Sequence, residues 1–297
     1  MLGLFVTTSA GTYDITSLAK QITWSGSLSQ GARTLSFDMA SPPYGPAVTV
    51  PELPPGAGVA FYQDERLLFS GFVISRSRAA ESGSVSVTCY DRGFYLLKNQ
   101  GIYQFRAQTP AAIVRRVCAD FGIQTGILAD PETKVTRNFI GTALYKILMT
   151  AYTLAAEEDG KAYQIRFRGE RLDVVEIEKN DETLILEGGV NLQSLSASDS
   201  IDKTVTQVAV YDSKNVILRT EKNAELIPLY GVIQQAIRQT DGQDAGAKAK
   251  KLLTDNGLFQ TLTVEALGNI ACITGGTVVV KEPVTGKKVI GIFLGSI

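Results

Sequence analysis

The side chains that most often carry acid–base and metal chemistry are scarce in this chain. Its 297 residues include no histidine, which removes Ser-His-Asp triads, Cys-His pairs and His-ligated metals. What remains is an acidic run, Glu157-Glu158-Asp159, and a pair, Asp199 and Asp202, beside Ser198 and Ser200. To these add a basic turn, Thr285-Gly286-Lys287-Lys288, and three cysteines. Paired carboxylates hydrolyse glycosides when they face one cleft from opposite sides. Adjacent residues on a helix point in different directions, so 157–159 reads as a solvated helix end. Asp199 and Asp202 lack EF-hand spacing and read as a turn or strand entry. A phosphate loop needs a glycine five positions before Gly-Lys and a hydroxyl after it. Lys281 and Lys288 stand there instead, so a hairpin turn is expected. No catalytic, cofactor-binding or metal-ligating residue is assigned, and no interface residue is legible.

Cys89, Cys118 and Cys272 are far apart and form no CxxC pair. They read as small buried hydrophobes with free thiols, as in a reducing compartment. Tyr13, Trp24, Tyr44, Phe61, Tyr62 and Phe69 could form a sugar-binding face, but aromatics in a β module more commonly fill its core. Basic and acidic residues number 29 and 30, and no segment is basic enough to argue for nucleic-acid binding. The N-terminus, Met1-Leu2-Gly3-Leu4-Phe5-Val6, has no basic flank and turns polar at Thr7, unlike a signal peptide. No run approaches the ~20 apolar residues of a membrane helix. Synthesis as a soluble cytoplasmic chain is expected.

The positioning elements divide the chain by character. Residues 1–90 carry short strand-like runs at 2–8, 20–26, 33–40, 59–63, 67–75 and 84–90. The last alternates with period two, placing Val85, Val87 and Cys89 on one face. Asp64-Glu65 reads as a tight turn, and the proline-rich stretch 41–56 as a long surface loop. Residues 91–182 bring helices. Thr109-Pro110 is a cap followed by proline at the first helical position, and Gly122 is a stop. Leu144, Ile147, Leu148, Ala151, Tyr152 and Ala155 share one helical face. The acidic end of that helix opposes its dipole and is expected to fray. A hairpin follows at 162–177, turning at Arg168-Gly169-Glu170. Residues 183–297 return to β, with strands at 205–211, 216–220, 277–282 and 289–294. One helix interrupts them, with Ala245, Ala249, Leu252 and Leu253 on a face and Lys248, Lys250 and Lys251 elsewhere.

Several stretches together resemble a known family. Asp64 through Val73 (DERLLFSGFV) resembles the phage tail hub hairpin that leads into an "fxGxV" strand. Val85 through Arg92 (VSVTCYDR) resembles the strand ending in "vtayDr", and Tyr95-Leu96-Leu97 follows as its helical exit. Thr109-Pro110 through Phe121-Gly122-Ile123 is similar to the "TpxxIvxxvcxdfGI" helix. Val278 through Gly286 (VVVKEPVTG) is similar to the late "vxvxepxTG" hairpin. The family is the baseplate hub proteins of contractile phage tails, prophage tails and phage-tail-like bacteriocins.

The resemblance implies a mainly β fold with α+β insertions and two tail-tube-like antiparallel β-barrel modules. The first module would be 1–90, the insertion 91–182, and the second module 183–297 with one inserted helix. It implies a non-enzymatic scaffold without cofactor: a homotrimer joining the hexameric tail tube to the trimeric spike, in contact with other baseplate proteins. Such a scaffold is compatible with DNA passing along a lumen without specific nucleic-acid binding or membrane contact. The alternatives are a tail-associated peptidoglycan hydrolase and a carbohydrate-binding β module.

Overall fold

The computed structural model describes residues 1–27, 30–40, 51–78, 83–177, 184–239, 245–267, 269, 274–281 and 288–292. Most of the proline-rich stretch, Tyr44, Cys272 and the turn at Thr285-Gly286-Lys287 lie outside them.

The fold is mainly β, and it begins with a seven-stranded half-barrel sheet. Its strands are β1 (Leu2–Thr8), β2 (Gly11–Asp14), β3 (Ala19–Ser25), β4 (Thr34–Ala40), β5 (Gly58–Gln63), β6 (Arg66–Arg78) and β7 (Ser84–Asp91). They run in the order β2-β1-β5-β6-β7-β4-β3, every pair antiparallel. Alternation fixes the register, since a one-residue slip would turn every apolar side chain to solvent. Leu35, Phe37 and Met39 of β4 stand opposite Cys89, Val87 and Val85 of β7, and all six are buried. Asp64, at φ 51°, makes the expected turn between β5 and β6. The short β2 has no apolar alternation and all four of its residues are exposed. Only its hairpin with β1 makes it a strand.

The next segment holds α1 (Gly93–Lys98), β8 (Gln100–Gln108), α2 (Pro110–Asp120), β9 (Thr125–Leu128), β10 (Val135–Ala143), α3 (Leu144–Asp159), β11 (Tyr163–Arg168) and β12 (Arg171–Glu176). The Thr109 hydroxyl caps α2 by accepting from the Ala112 N–H at 3.2 Å. Beyond its end, Gly122 takes φ +65°, and the N–H groups of Gly122 and Ile123 reach back to Ala119 and Cys118. This is a Schellman stop. The six periodic residues of α3 are all buried, and all but Ala155 share one core with Ile113, Val117, Phe105, Phe139 and Leu172. The C-terminal end of α3 stays helical to Asp159 and is capped by left-handed Gly160, a correction to the frayed end expected from its charges. The strands β8 and β10, whose register is broken twice by bulges, escape pattern reading. They form a two-stranded ribbon.

The remaining elements are β13 (Leu184–Glu187), β14 (Leu192–Ser200), β15 (Gln207–Tyr211), β16 (Ile217–Lys222), α4 (Ile227–Tyr230), β17 (Gln234–Arg238), α5 (Ala245–Asp255), β18 (Phe259–Ala266), β19 (Thr277–Lys281) and β20 (Lys288–Ile292). They pair as β13-β19-β20, β14-β18 and β16-β15-β17. Two of these pairings, β13 with β19 and β15 with β17, are parallel, a detail the strand pattern did not foresee. The apolar face of α5 covers Val205, Val208 and Val210.

A buried polar knot ties β4 and β7 to α1. The Asp91 carboxylate accepts the Gly93 N–H at 2.9 Å, and its own N–H donates to the Arg33 carbonyl at 3.1 Å. Burial pushes the Asp91 carboxyl up to about 6, against the pull of the Gly93 and Arg33 N–H groups and the Arg33 charge. Burial likewise lowers the Arg33 guanidinium, which lies 5.7 Å from the Trp24 ring centroid. Glycine is obligatory nearby. A Cβ on Gly93 would sit 1.8 Å from the Gly31 carbonyl oxygen, and one on Gly71 would sit 2.2 Å from that of Tyr90.

Two predictions follow from the knot and the helix stop. Gly93→Ala should cost on the order of 3 kcal/mol or prevent folding, because backbone must move. Gly122→Ala meets open space and should cost only about 1 kcal/mol for its left-handed φ; urea midpoints compare the two. The pH dependence of Asp91 has a definite sign. Its folded pKa lies above the ordinary 3.8, so its stabilisation is full below that value and fades as pH rises through about 6. The melting temperature of the wild type relative to Asp91→Asn should therefore fall between about pH 4 and about pH 7.

Candidate assembly surfaces

The residues with chemical potential are occupied in structural contacts. Glu158 accepts from the Thr133 hydroxyl at 2.6 Å, Asp159 bonds the Tyr163 hydroxyl, and Glu157 pairs with Lys248 at 2.8 Å. The three carboxylates thus have three different partners on separate elements. Asp199 stands in β14 opposite Gln260, while Asp202 follows the strand and donates its N–H to the Ser200 hydroxyl at 3.2 Å. Trp24, Phe61 and Phe69 belong to the first core. Tyr62 meets Phe5 edge-on, with ring centroids 5.8 Å apart. Cys89 and Cys118 are free and buried, and burial pushes both thiols up to about 12. Their thiolates are therefore scarce at neutral pH. Among the described residues, no three His, Cys, Asp or Glu side chains gather as a metal site. No described helix is long and apolar enough to cross a membrane.

The acidic helix end instead makes a joint. Lys248 of α5 reaches Glu157, and Lys251 donates to the Ala156 carbonyl at 3.0 Å. Cations over the last carbonyls of α3 offset both its dipole and its acidic side chains. Nearby, the buried Gln164 amide of β11 donates to the Thr274 carbonyl at 2.9 Å. Arg92, just after β7, pairs with Glu170 in the turn between β11 and β12. Its guanidinium also lies 5.4 Å from the Phe72 ring centroid. The three segments are therefore linked by polar contacts between residues far apart in sequence.

The surface left over is rich in strand edges. The first sheet ends at β2 and β3, and the sheet around β15 ends at β16 and β17. Val216, Ile217 and Leu218 are 56%, 62% and 49% exposed, placing three successive apolar residues at the start of an edge strand. Leu229 and Val232 are also exposed. A bare apolar edge is a template for pairing with another chain. The ribbon of β14 and β18 packs Leu192, Leu195, Val264 and Ala266 against Leu186, Val278 and Val280. The far end of β14, Ala197–Ser200 in sequence, is exposed on both faces. A two-stranded ribbon is marginal alone. These surfaces were not identified from sequence, although three adjacent apolar residues at 216–218 break half-buried alternation and were the available signal.

The fold and its sequence both have relatives. A family profile described as YQBQ-like matches residues 22–294. The phage-like element PBSX protein XkdQ of Bacillus subtilis is 28% identical over 244 residues, covering 78% of this chain and 74% of XkdQ. The 43 kDa tail protein of prophage MuSo2 from Shewanella oneidensis superposes with a TM-score of 0.74 at 14% identity, over 99% of this chain and 92% of that one. The E. coli c3393 protein superposes at 0.51 with 11% identity, over 94% and 72%. It is described as a type VI secretion component structurally similar to the T4 tail proteins gp27 and gp5. Matched by that profile over nearly its whole length, and sharing the fold of phage tail proteins, the chain belongs to the YQBQ-like family.

Proposed function

We propose that this chain is a structural hub of a phage-type tail baseplate, in which three copies join a sixfold tail tube to a threefold spike. The observation that carries this reading is the end-to-end match to the MuSo2 tail protein, in a chain with strand-rich regions on both sides of its α2–α3 core. The proposed units are 1–90, 91–182 and 183–297. Three chains of two β units each offer six similar surfaces in a closed ring, which resolves a six-to-three mismatch without changing chain symmetry. The described likeness of c3393 to gp27 and gp5 supports the same place in a tail. The part is mechanical: the acidic residues that could have served hydrolysis are instead consumed in internal contacts. Assembly after cytoplasmic synthesis would put the chain in the baseplate, against tube, spike and neighbouring baseplate proteins.

Native mass spectrometry of assembled baseplates should count three copies, and any other number overturns the adaptor. Copy–copy contacts should reach the standard ~1,600 Å² and use open strand edges. Leu218→Glu changes an exposed side chain on β16 and should give a folded chain that no longer trimerises. Size-exclusion chromatography with light scattering reads the outcome. A trimer of unchanged mass would remove the β16 edge from the interface. Purified protein should leave peptidoglycan intact in a zymogram.

A further inference from the structure

The ribbon of β8 and β10 leaves one edge of β8 open inside a groove. Among the described residues β8 pairs with β10 alone, and none outside that ribbon makes a main-chain bond to residues 100–108. The groove is lined along β8 from Gln100 to Arg106 and on its other side by Ala112, Arg116, Asp120 and Phe121 of α2 and its end. Ala112, Arg116 and Asp120 are spaced i, i+4, i+8, so one face of the helix forms the wall. That wall is braced: Arg116 pairs with Asp120 at 3.1 Å, and the Tyr103 hydroxyl donates to Asp120 at 3.0 Å. Tyr103 and Phe105 stack, with centroids 5.3 Å apart, and anchor the strand beside the helix. An open strand edge alongside a helix offers alternating N–H and C=O groups to an extended chain and to little else. The edge sequence QGIYQFRAQ contains neither the lysine nor the proline that usually blunts such edges, and its one bulge falls at the Arg106–Ala107 end, leaving Gln100–Phe105 regular.

The chemistry of the occupant follows from the lining. Asp120 is already neutralised by Arg116, whereas exposed Arg106 has no ion pair among the described residues. The groove is therefore net positive at the Arg106 end. Toward the other end Ile102 is 78% exposed and Phe121 37% exposed, and both line the groove. We propose that the β8–α2 groove takes an extended segment of a different tail protein as an added strand, with a carboxylate at Arg106 and an apolar side chain over Ile102 and Phe121. The stretch Gln100–Arg106, before left-handed Ala107, would carry roughly 20 Å of it. The proposal rests on the tail-assembly reading above.

The test uses the full chain, free and within tail particles. Outward-facing amides of β8 should exchange hydrogen at least about tenfold more slowly in the particle than in the free subunit. Arg106→Lys keeps the charge and supplies an amine, so zero-length carbodiimide coupling should join position 106 to an Asp or Glu of another tail protein. Mass spectrometry then identifies that residue and its segment. Arg106→Glu alters an exposed side chain without an internal ion pair and should fold normally by circular dichroism. It should bind the coupled partner roughly fivefold more weakly. Unchanged exchange over β8, coupling to another copy of this chain, or undiminished partner binding by Arg106→Glu overturns the proposal. Absence of the chain from tail particles overturns the assembly reading as well, which separates the two failures.

Discussion

The architecture turns on a carboxylate buried where two strands of the first sheet hand over to the first helix. Asp91 ends β7, receives the first N–H of α1 and lies against the start of β4 at Arg33. An ionised carboxylate in that position is costly unless charge and donors surround it. The chain supplies both, with Arg33 as the charge and two backbone N–H groups as donors. The approach this requires leaves no room for side chains at Gly71 or Gly93. The "fxGxV" and "vtayDr" patterns are thus two halves of one packing arrangement, since Gly71 stands directly opposite Asp91 in the ladder.

From that knot outward, polar contacts rather than one continuous core join the segments. The apolar clusters are separate, one under the first sheet, one around α2 and α3, and smaller ones in the last third. Between them run Phe72 through Arg92 to Glu170, Gln164 to Thr274, and the two lysines of α5 over the end of α3. Junctions of this kind hold orientation by geometry and charge, and they leave strand edges free at the periphery. That combination suits a protein of the tail-protein fold.

Of the acidic run, Glu157 sits at the joint with α5, while Glu158 and Asp159 bond Thr133 and Tyr163 within their own segment. The buried thiols at Cys89 and Cys118 fill space in two different cores, and their raised pKa values keep them unreactive.

Local pattern determined a good deal without tertiary help. Alternation in β4 and β7, the Thr109-Pro110 cap with its Gly122 stop, and the six-residue face of α3 each depend on neighbours within a few positions. Their physics is already present in the sequence. The same holds for the turns at Asp64 and Gly169, where backbone φ is positive. Tertiary structure alone decided the rest. The strand β2 is exposed throughout, and β8 and β10 lose regular register at their bulges; all three are strands because a partner strand supplies their hydrogen bonds. The end of α3 remains helical because lysines nearly a hundred residues later cover it. Which apolar residues stay outside, as Ile102 and Val216 to Leu218 do, depends on which faces other elements cover. Periodicity reports that a face is apolar; only the assembled chain decides whether anything lies against it.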